Sequence, residues 1–265
     1  MKQLWLVAIL FLLNLSNSFA QNWEIGISAG GSNYLGDLSP DIVLKETKTY
    51  GAFFFKKNIS PFFSNNFYFY RGKISGDDNN FKHLKIRNLN FCSTITEISY
   101  QLEFNFFKFA IGLNPNRFTP YVFTGFGTFF FQPVTTYNGN VVRLKPLDTE
   151  GKKIESNKNS YHLVQPVIPF GGGFKIKLNK DVNLAIFVGF RYTFTDYLDD
   201  VSNTYYNIDV LEDKYGPLSP VLSDRSEIKI GFNGKQRGRP DMLDFYYFYG
   251  ATLSVKIRNK VCFEF

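Results

Sequence analysis

Long apolar runs are missing from this sequence beyond residue 20: no stretch there reaches the roughly eighteen apolar residues that a transmembrane helix needs. Leucine-rich heptads are missing too, so nothing points to a helical bundle. Cysteine is nearly absent, with Cys92 and Cys262 the only two, and no Cys/His spacing suits a structural metal. Histidine is equally scarce, at His83 and His162. The Gly171-Gly172-Gly173 stretch has neither the Lys-Ser/Thr pair nor the following helix of a phosphate-binding loop. Internal repeats, low-complexity tracts and linkers are not found, which leaves one domain.

What is abundant is aromatic. Phe, Tyr and Trp make up 18% of the 265 residues, with 31 Phe and 16 Tyr. Aromatic, glycine-punctuated chains are sheet formers. The first twenty residues look like an export signal: Lys2 is followed by an apolar run over residues 4–13, and Ser18-Phe19-Ala20 offers small residues ahead of a cleavage point before Gln21. An exported chain with a mean hydropathy of −0.16 and this aromatic content fits a transmembrane barrel, because only every second residue of a barrel strand faces lipid. The expected organisation is a signal peptide over residues 1–20 and a barrel domain over 21–265.

Period-two alternation carries the strand assignment. In "FYYFYGATLSVKIR" (residues 245–258) the odd positions Phe245, Tyr247, Tyr249, Ala251, Leu253, Val255 and Ile257 are all apolar, while the even ones include Gly250, Thr252, Ser254, Lys256 and Arg258. Ile98, Tyr100, Leu102, Phe104 and Phe106 alternate with Glu97, Ser99, Gln101, Glu103 and Asn105. Similar patterns start at Trp23, His162 and Asn183, whereas residues 50–57, 67–74 and 121–131 are apolar on both sides and leave their facing open. About eight strands result. The connections between them alternate long (32–49), short (58–66), long (75–88), short (108–119), long (132–160), short (178–182) and very long (196–244). Long extracellular loops and tight periplasmic turns are the outer-membrane arrangement. The odd register runs on to Phe265, as in the terminal aromatic signal of such barrels. The expected fold is therefore all-β: a closed antiparallel transmembrane β-barrel of about eight strands, in the outer membrane.

An eight-stranded barrel has room inside only for side chains. The expected inward residues Glu24, Glu97, Glu103, Lys175, Lys177 and Arg191 carry both signs and would plug it with paired charges, so transport is not expected. Cys92 and Cys262 would lie at opposite ends as free thiols. His83 and His162 both fall toward the outer side, where a lipid A-modifying enzyme would need its histidine, but no nucleophile elbow accompanies them. Asp77, Asp78, Asp196, Asp199 and Asp200 lack the spacing of a calcium loop and read as solvated strand-end carboxylates. Neither catalytic residues nor cofactors are expected.

The formal net charge of +7 does not imply nucleic acid, which an exported barrel never meets. Sorted by end, the basic residues collect at the periplasmic turns. Lys56, Lys57, Lys108, Arg117, Lys177 and Lys180, with Phe62 and Phe63 among them, form a candidate rim for docking an acidic periplasmic partner; Lys175, Lys256, Arg258 and Lys260 belong to the same end.

Several blocks occur in order: "GGSNYLGDLS" (30–39), "RGKISGDD" (71–78), "EISYQLEFNFF" (97–107), "FTPYVFTGFG" (118–127), "RYTFTDYLDDVS" (191–202) and "LSDRS" (222–226). Together they resemble the PorG-like family of small outer-membrane barrels found with type IX secretion systems. The resemblance implies a non-enzymatic barrel of the secretion and gliding machinery, associated with the periplasmic ring of PorK-like lipoprotein and its PorN-like partner. Lipid and lipopolysaccharide of the outer membrane would surround it. The alternatives are a structural or adhesive surface barrel acting through its extracellular loops and, third, a lipid A-modifying enzyme.

Overall fold

The computed structural model describes residues 23–109, 116–156 and 161–257; the leader, Cys262 and the terminal Phe265 lie outside them. Among the described residues eight strands build one wall: β1 (Trp23–Leu35), β2 (Lys48–Asn58), β3 (Phe63–Asp77), β4 (Asn90–Asn105), β5 (Phe118–Phe130), β8 (Val164–Lys177), β9 (Val182–Thr193) and β10 (Phe245–Lys256). Every neighbouring pair is antiparallel, in the order β3-β2-β1-β10-β9-β8-β5-β4, and pairing of β3 with β4 closes the barrel. The strands run from 11 residues in β2 to 16 in β4, more than the roughly 9–11 needed to cross a bilayer. A further hairpin, β6 (Pro133–Tyr137) with β7 (Asn140–Arg143), lies inside the third long connection, where the sequence shows only a loop.

Alternation sorts the side chains as expected and settles the three strands that were apolar on both sides. Tyr50, Phe54, Tyr68, Tyr70, Tyr121 and Phe123 point in and are buried, while Phe53, Phe55, Phe67, Val122 and Phe126 are exposed on the outside. An exposed apolar girdle of this extent, with Ile27 at 63% and Phe126 at 67% exposure, is far larger than the patches of soluble monomers. The interior aromatics stack on one another, between strands and along them: Tyr50 and Phe248 have ring centroids 4.6 Å apart, and Tyr68 and Tyr70 4.9 Å. Gly189 makes this filling possible, since a Cβ there would stand 2.7 Å from Arg191 Nη1 and 2.8 Å from the Phe123 ring.

Charges occupy the remaining interior in pairs. Arg191 is fully buried; its Nε donates to Glu97 Oε2 at 3.1 Å and its guanidinium carbon lies 4.7 Å from the Tyr70 ring centre and 4.3 Å from that of Phe248. Nearer the short-turn end Glu103 holds both Lys175 and Lys56, the latter at 3.2 Å. Glu24 accepts from Ser254 at 2.7 Å and from Asn58 at 2.8 Å. Lys56 and Lys175 therefore do not belong to an exposed rim: even-numbered positions of β2 and odd-numbered positions of β8 turn inward there, and Glu103 on β4 neutralises both.

The long connections fold into a lid, which corrects the expectation of solvated loop carboxylates. Asp78, Asp196, Asp199 and Asp200 are all buried. Two arginines tie the four connections together. Arg87 donates to Asp78 Oδ1 and Oδ2 at 2.7 and 2.8 Å, to the Asp37 carbonyl at 2.8 Å and to the Arg237 carbonyl at 2.6 Å. Arg237 in turn reaches Glu150 Oε1 at 3.0 Å, the Asp200 carbonyl at 2.8 Å and the Ser223 carbonyl at 3.1 Å. Leu211 on α2 (Ile208–Tyr215) and Leu222 on α3 (Leu218–Ser223) are buried in the same lid, after a short α1 (Lys152–Ser156). Under it, Tyr34 Oη donates to Asp199 Oδ2 at 2.6 Å and Asp244 Oδ1 at 2.8 Å. Among the described cysteines Cys92 is a free, half-buried thiol.

Two predictions follow from the plug and the lid. Replacing Arg191 by Met leaves Glu97 buried without its cation and is expected to cost about 3–5 kcal/mol in urea unfolding from vesicles, with Arg191→Met/Glu97→Gln recovering most of it; a single-variant loss below about 1 kcal/mol would overturn that role. Burial pushes the Asp196 carboxyl up to about 7, with Asp37 and Glu150 acting in the same direction, and pushes Asp200 up to about 6 in spite of Arg237. A carboxyl raised on folding stabilises the folded form below its unfolded value near 4 and loses that contribution as pH rises through its folded value. Amide exchange across residues 194–244, corrected for its intrinsic pH dependence, should therefore be faster at pH 8 than at pH 5, and Asp196→Asn should flatten the difference.

Candidate functional site

The lid covers the outer mouth, and at the opposite, short-turn end charged groups reach solvent beside the barrel mouth. Three tight connections build it. In the turn over residues 178–181, Leu178 N–H donates to the Val182 carbonyl at 3.0 Å, and Asn179 Oδ1 accepts from the backbone N–H groups of Asp181 and Val182, each at 2.8 Å. This side-chain turn mimics a backbone one and projects Lys180 outward. Over residues 59–62, Ile59 N–H donates to the Phe63 carbonyl at 2.9 Å, and Ser60 Oγ accepts from Phe63 N–H at 3.0 Å. The connection from β4 to β5 is held at its base by Phe109 N–H to the Pro61 carbonyl at 3.0 Å and Lys177 N–H to the Arg117 carbonyl at 2.8 Å.

These turns leave a concavity of about 370 Å³ lined by Arg117, Lys177, Leu178, Asn179, Lys180 and Lys256. Four cations thus converge on one surface, with the Leu178 side chain 51% exposed beside them. Lys177 sits at the edge of the interior, its Nζ donating to the Phe109 carbonyl at 2.5 Å and lying 5.1 Å from the Phe109 ring centre. Such a concavity presents positive charge and a modest apolar contact on one surface.

Of the residues singled out from sequence, Arg117, Lys177 and Lys180 are brought together. Lys56 is not, being paired with Glu103 inside the barrel. Lys57 faces outward over the Trp23 ring at 5.5 Å. Phe63 packs on Phe104 with centroids 5.1 Å apart, as part of the outer apolar belt. Phe62 is half-buried and Lys108 exposed, and neither lines the concavity. Lys256 joins through the register of β10, and the Asn-Lys-Asp turn that places Asn179 and Leu178 was visible in the sequence only as a short connection. His83 and His162 are both exposed; the His83 ring lies 6.1 Å from that of Phe81, and the His162 carbonyl accepts from Gln165.

Several solved structures are similar to the chain. The attachment invasion locus protein Ail of Yersinia pestis has a TM-score of 0.43 at 7% identity, covering 90% of this chain and 100% of its own. Neisserial surface protein A has a TM-score of 0.44 at 10% identity, covering 91% and 100%. The N-terminal β-barrel domain of Pseudomonas aeruginosa OprF has a TM-score of 0.38 at 9% identity, covering 90% and 99%. No curated protein matches. Residues 2–219 match the family described as a domain of unknown function, DUF6089, and since that span is well over half of the sequence, the chain belongs to this family.

Proposed function

We propose that this protein is a non-enzymatic barrel of the outer membrane whose work is done at its periplasmic rim, as a docking component for the lipoprotein ring of a type IX secretion machine. The observation that carries the reading is the convergence of Arg117, Lys177, Lys180 and Lys256 on one concavity at the short-turn end. The exposed apolar girdle supports a membrane location, because a closed strand ladder satisfies its own backbone and can present hydrocarbon to lipid. The aromatic and ion-paired interior supports a plug rather than a channel. The PorG-like resemblance supplies the partner class, a PorK/PorN-like complex, and an acidic face on that partner is what the four cations would recognise. A second reading, action at the cell surface, is favoured by Ile228 and Phe232, which stand 75% and 66% exposed on the lid.

Arg117→Glu, Lys177→Glu and Lys180→Glu together should lower capture of the ring lipoproteins from solubilised envelopes by roughly a hundredfold, on the scale of about 1 kcal/mol per charge contact, while heat-modifiable migration shows the barrel intact. Undiminished capture by an intact barrel would reject docking at this rim. Ile228→Asp with Phe232→Asp should leave capture unchanged; if it alone abolishes partner binding, the surface reading replaces the first. His83→Ala with His162→Ala is expected to leave the lipid A mass profile as in wild type, and a shifted profile would restore an enzymatic role.

A further inference from the structure

A large concavity among the described residues is on the outside of the wall, at the opposite end from the rim. It encloses about 950 Å³, bounded by Glu46 ahead of β2 and Lys48 at its start, by the outer halves of β3 and β4, and by the β6–β7 hairpin. The hairpin forms its far side: Val134 pairs with Cys92, and Arg143 pairs with Val134. Four cations line the groove, Lys48, Arg71, Lys73 and Arg143, and none of them forms an ion pair among the described residues. Arg71 Nη1 makes one long contact, 3.4 Å, to Thr96 Oγ1. The acidic Glu46 in the same groove is engaged by neutral donors, Ser75 Oγ at 2.5 Å and Asn80 Nδ2 at 2.6 Å, and Asp77 Oδ1 accepts from Asn79 at 2.8 Å.

The position of this groove along the wall is as informative as its charge. Arg71 stands opposite Thr96, and Thr96 opposite Phe130. Two residues further from the lid the outward row is Phe69, Ile98 and Thr128, and two further again it is Phe67, Tyr100 and Phe126. On β3 the outward face changes within one pleat from Phe67 and Phe69 to Arg71 and Lys73. That change marks the boundary between hydrocarbon and headgroups. A cationic groove at this level, open on its lower side to exposed Phe67, Ile98 and Phe126, has the shape of a lipid site: charge for a headgroup, then an apolar surface for chains.

We infer that the groove binds a phosphorylated glycolipid of the outer leaflet, its phosphates held by Arg71, Lys73 and Arg143 with Lys48 and its acyl chains lying on the Phe67–Ile98–Phe126 surface. Arginine suits this role because its planar fork matches phosphate oxygens two at a time. A soluble anion would need only the charges and would gain nothing from the apolar rows beneath them. This inference rests on the outer-membrane reading above but not on docking at the periplasmic rim.

The test uses purified full-length protein in detergent, with diphosphorylated lipid A added and bound lipid counted by native mass spectrometry. Wild type should retain lipid A, and Arg71→Gln/Lys73→Gln/Arg143→Gln should retain it roughly a hundredfold less; Arg71→Lys/Arg143→Lys, which keeps the charge, should retain an intermediate amount. Equal retention by the triple variant overturns the proposal, as does equal retention of fully dephosphorylated lipid A by wild type. Complete displacement of lipid A by millimolar inorganic phosphate also overturns it, because the groove would then be a site for the free ion. Heat-modifiable migration of every variant after insertion into neutral phosphatidylcholine vesicles reports the barrel separately, so a protein that fails to insert counts against the membrane reading and not against the groove.

Discussion

Closure of the strand ladder is the constraint from which the rest descends. Pairing of β3 with β4 leaves no free edge in the wall, and in hydrocarbon an unpaired backbone group is too costly to keep. Once the backbone is satisfied internally, the outward face is free to be as apolar as Ile27, Phe53, Phe67, Phe126 and Ile186 make it. The charged side chains of the wall are then driven inward or to the ends. Eight strands leave little space inside, so the inward groups must both fill volume and neutralise one another. Stacked Tyr50, Phe248 and Tyr70 do the first, and the Arg191–Glu97 and Lys56–Glu103–Lys175 contacts do the second.

The two ends solve different problems. At the outer end the strands run on past the apolar girdle, and the connections close over the mouth as a packed lid in which Asp78, Glu150 and Asp200 are held by its own hydrogen bonds. Arg87 and Arg237 each bind groups from several connections, so the lid folds as one unit rather than as four loops. At the short-turn end there is too little chain to build such a cover. Its cations stay at the surface around one concavity, and the outer wall carries a second cationic groove beside the hairpin. Charge is thus gathered into the plug and the lid in one part of the molecule and around two concavities in another.

The sequence blocks that run from Gly30 to Ser226 fall mostly on the scaffold. In "RYTFTDYLDDVS" Arg191 belongs to the plug, and Asp199 and Asp200 accept from Tyr34 and Tyr161 under the lid. In "GGSNYLGDLS" Asn33, Tyr34 and Asp37 do similar work, and in "RGKISGDD" Asp78 anchors Arg87. In "LSDRS" Asp224 accepts from Ser226 and Gly231 N–H. Asp199 and Asp200 look like solvated strand-end carboxylates in sequence because their partners come from elsewhere in the chain: Tyr34 for Asp199, and Tyr161 and Thr149 for Asp200. The β6–β7 hairpin was hidden for another reason: strands of five and four residues are too short to show a period.

Local periodicity by itself determined the wall of this protein: the strand count, the alternation of long and short connections, and the inward placing of Glu97, Glu103, Lys175 and Arg191, because a pleat repeats every two residues whatever lies far away. Arg117, Lys177 and Lys180 were legible as rim residues on the same ground, since each stands beside a tight turn. Tertiary structure alone decided which charges remain available. Lys56 and Lys57 are adjacent in sequence, yet the first turns inward to Glu103, 47 positions on, and the second lies outside over Trp23; only the register between strands chooses the partner that neutralises a charge.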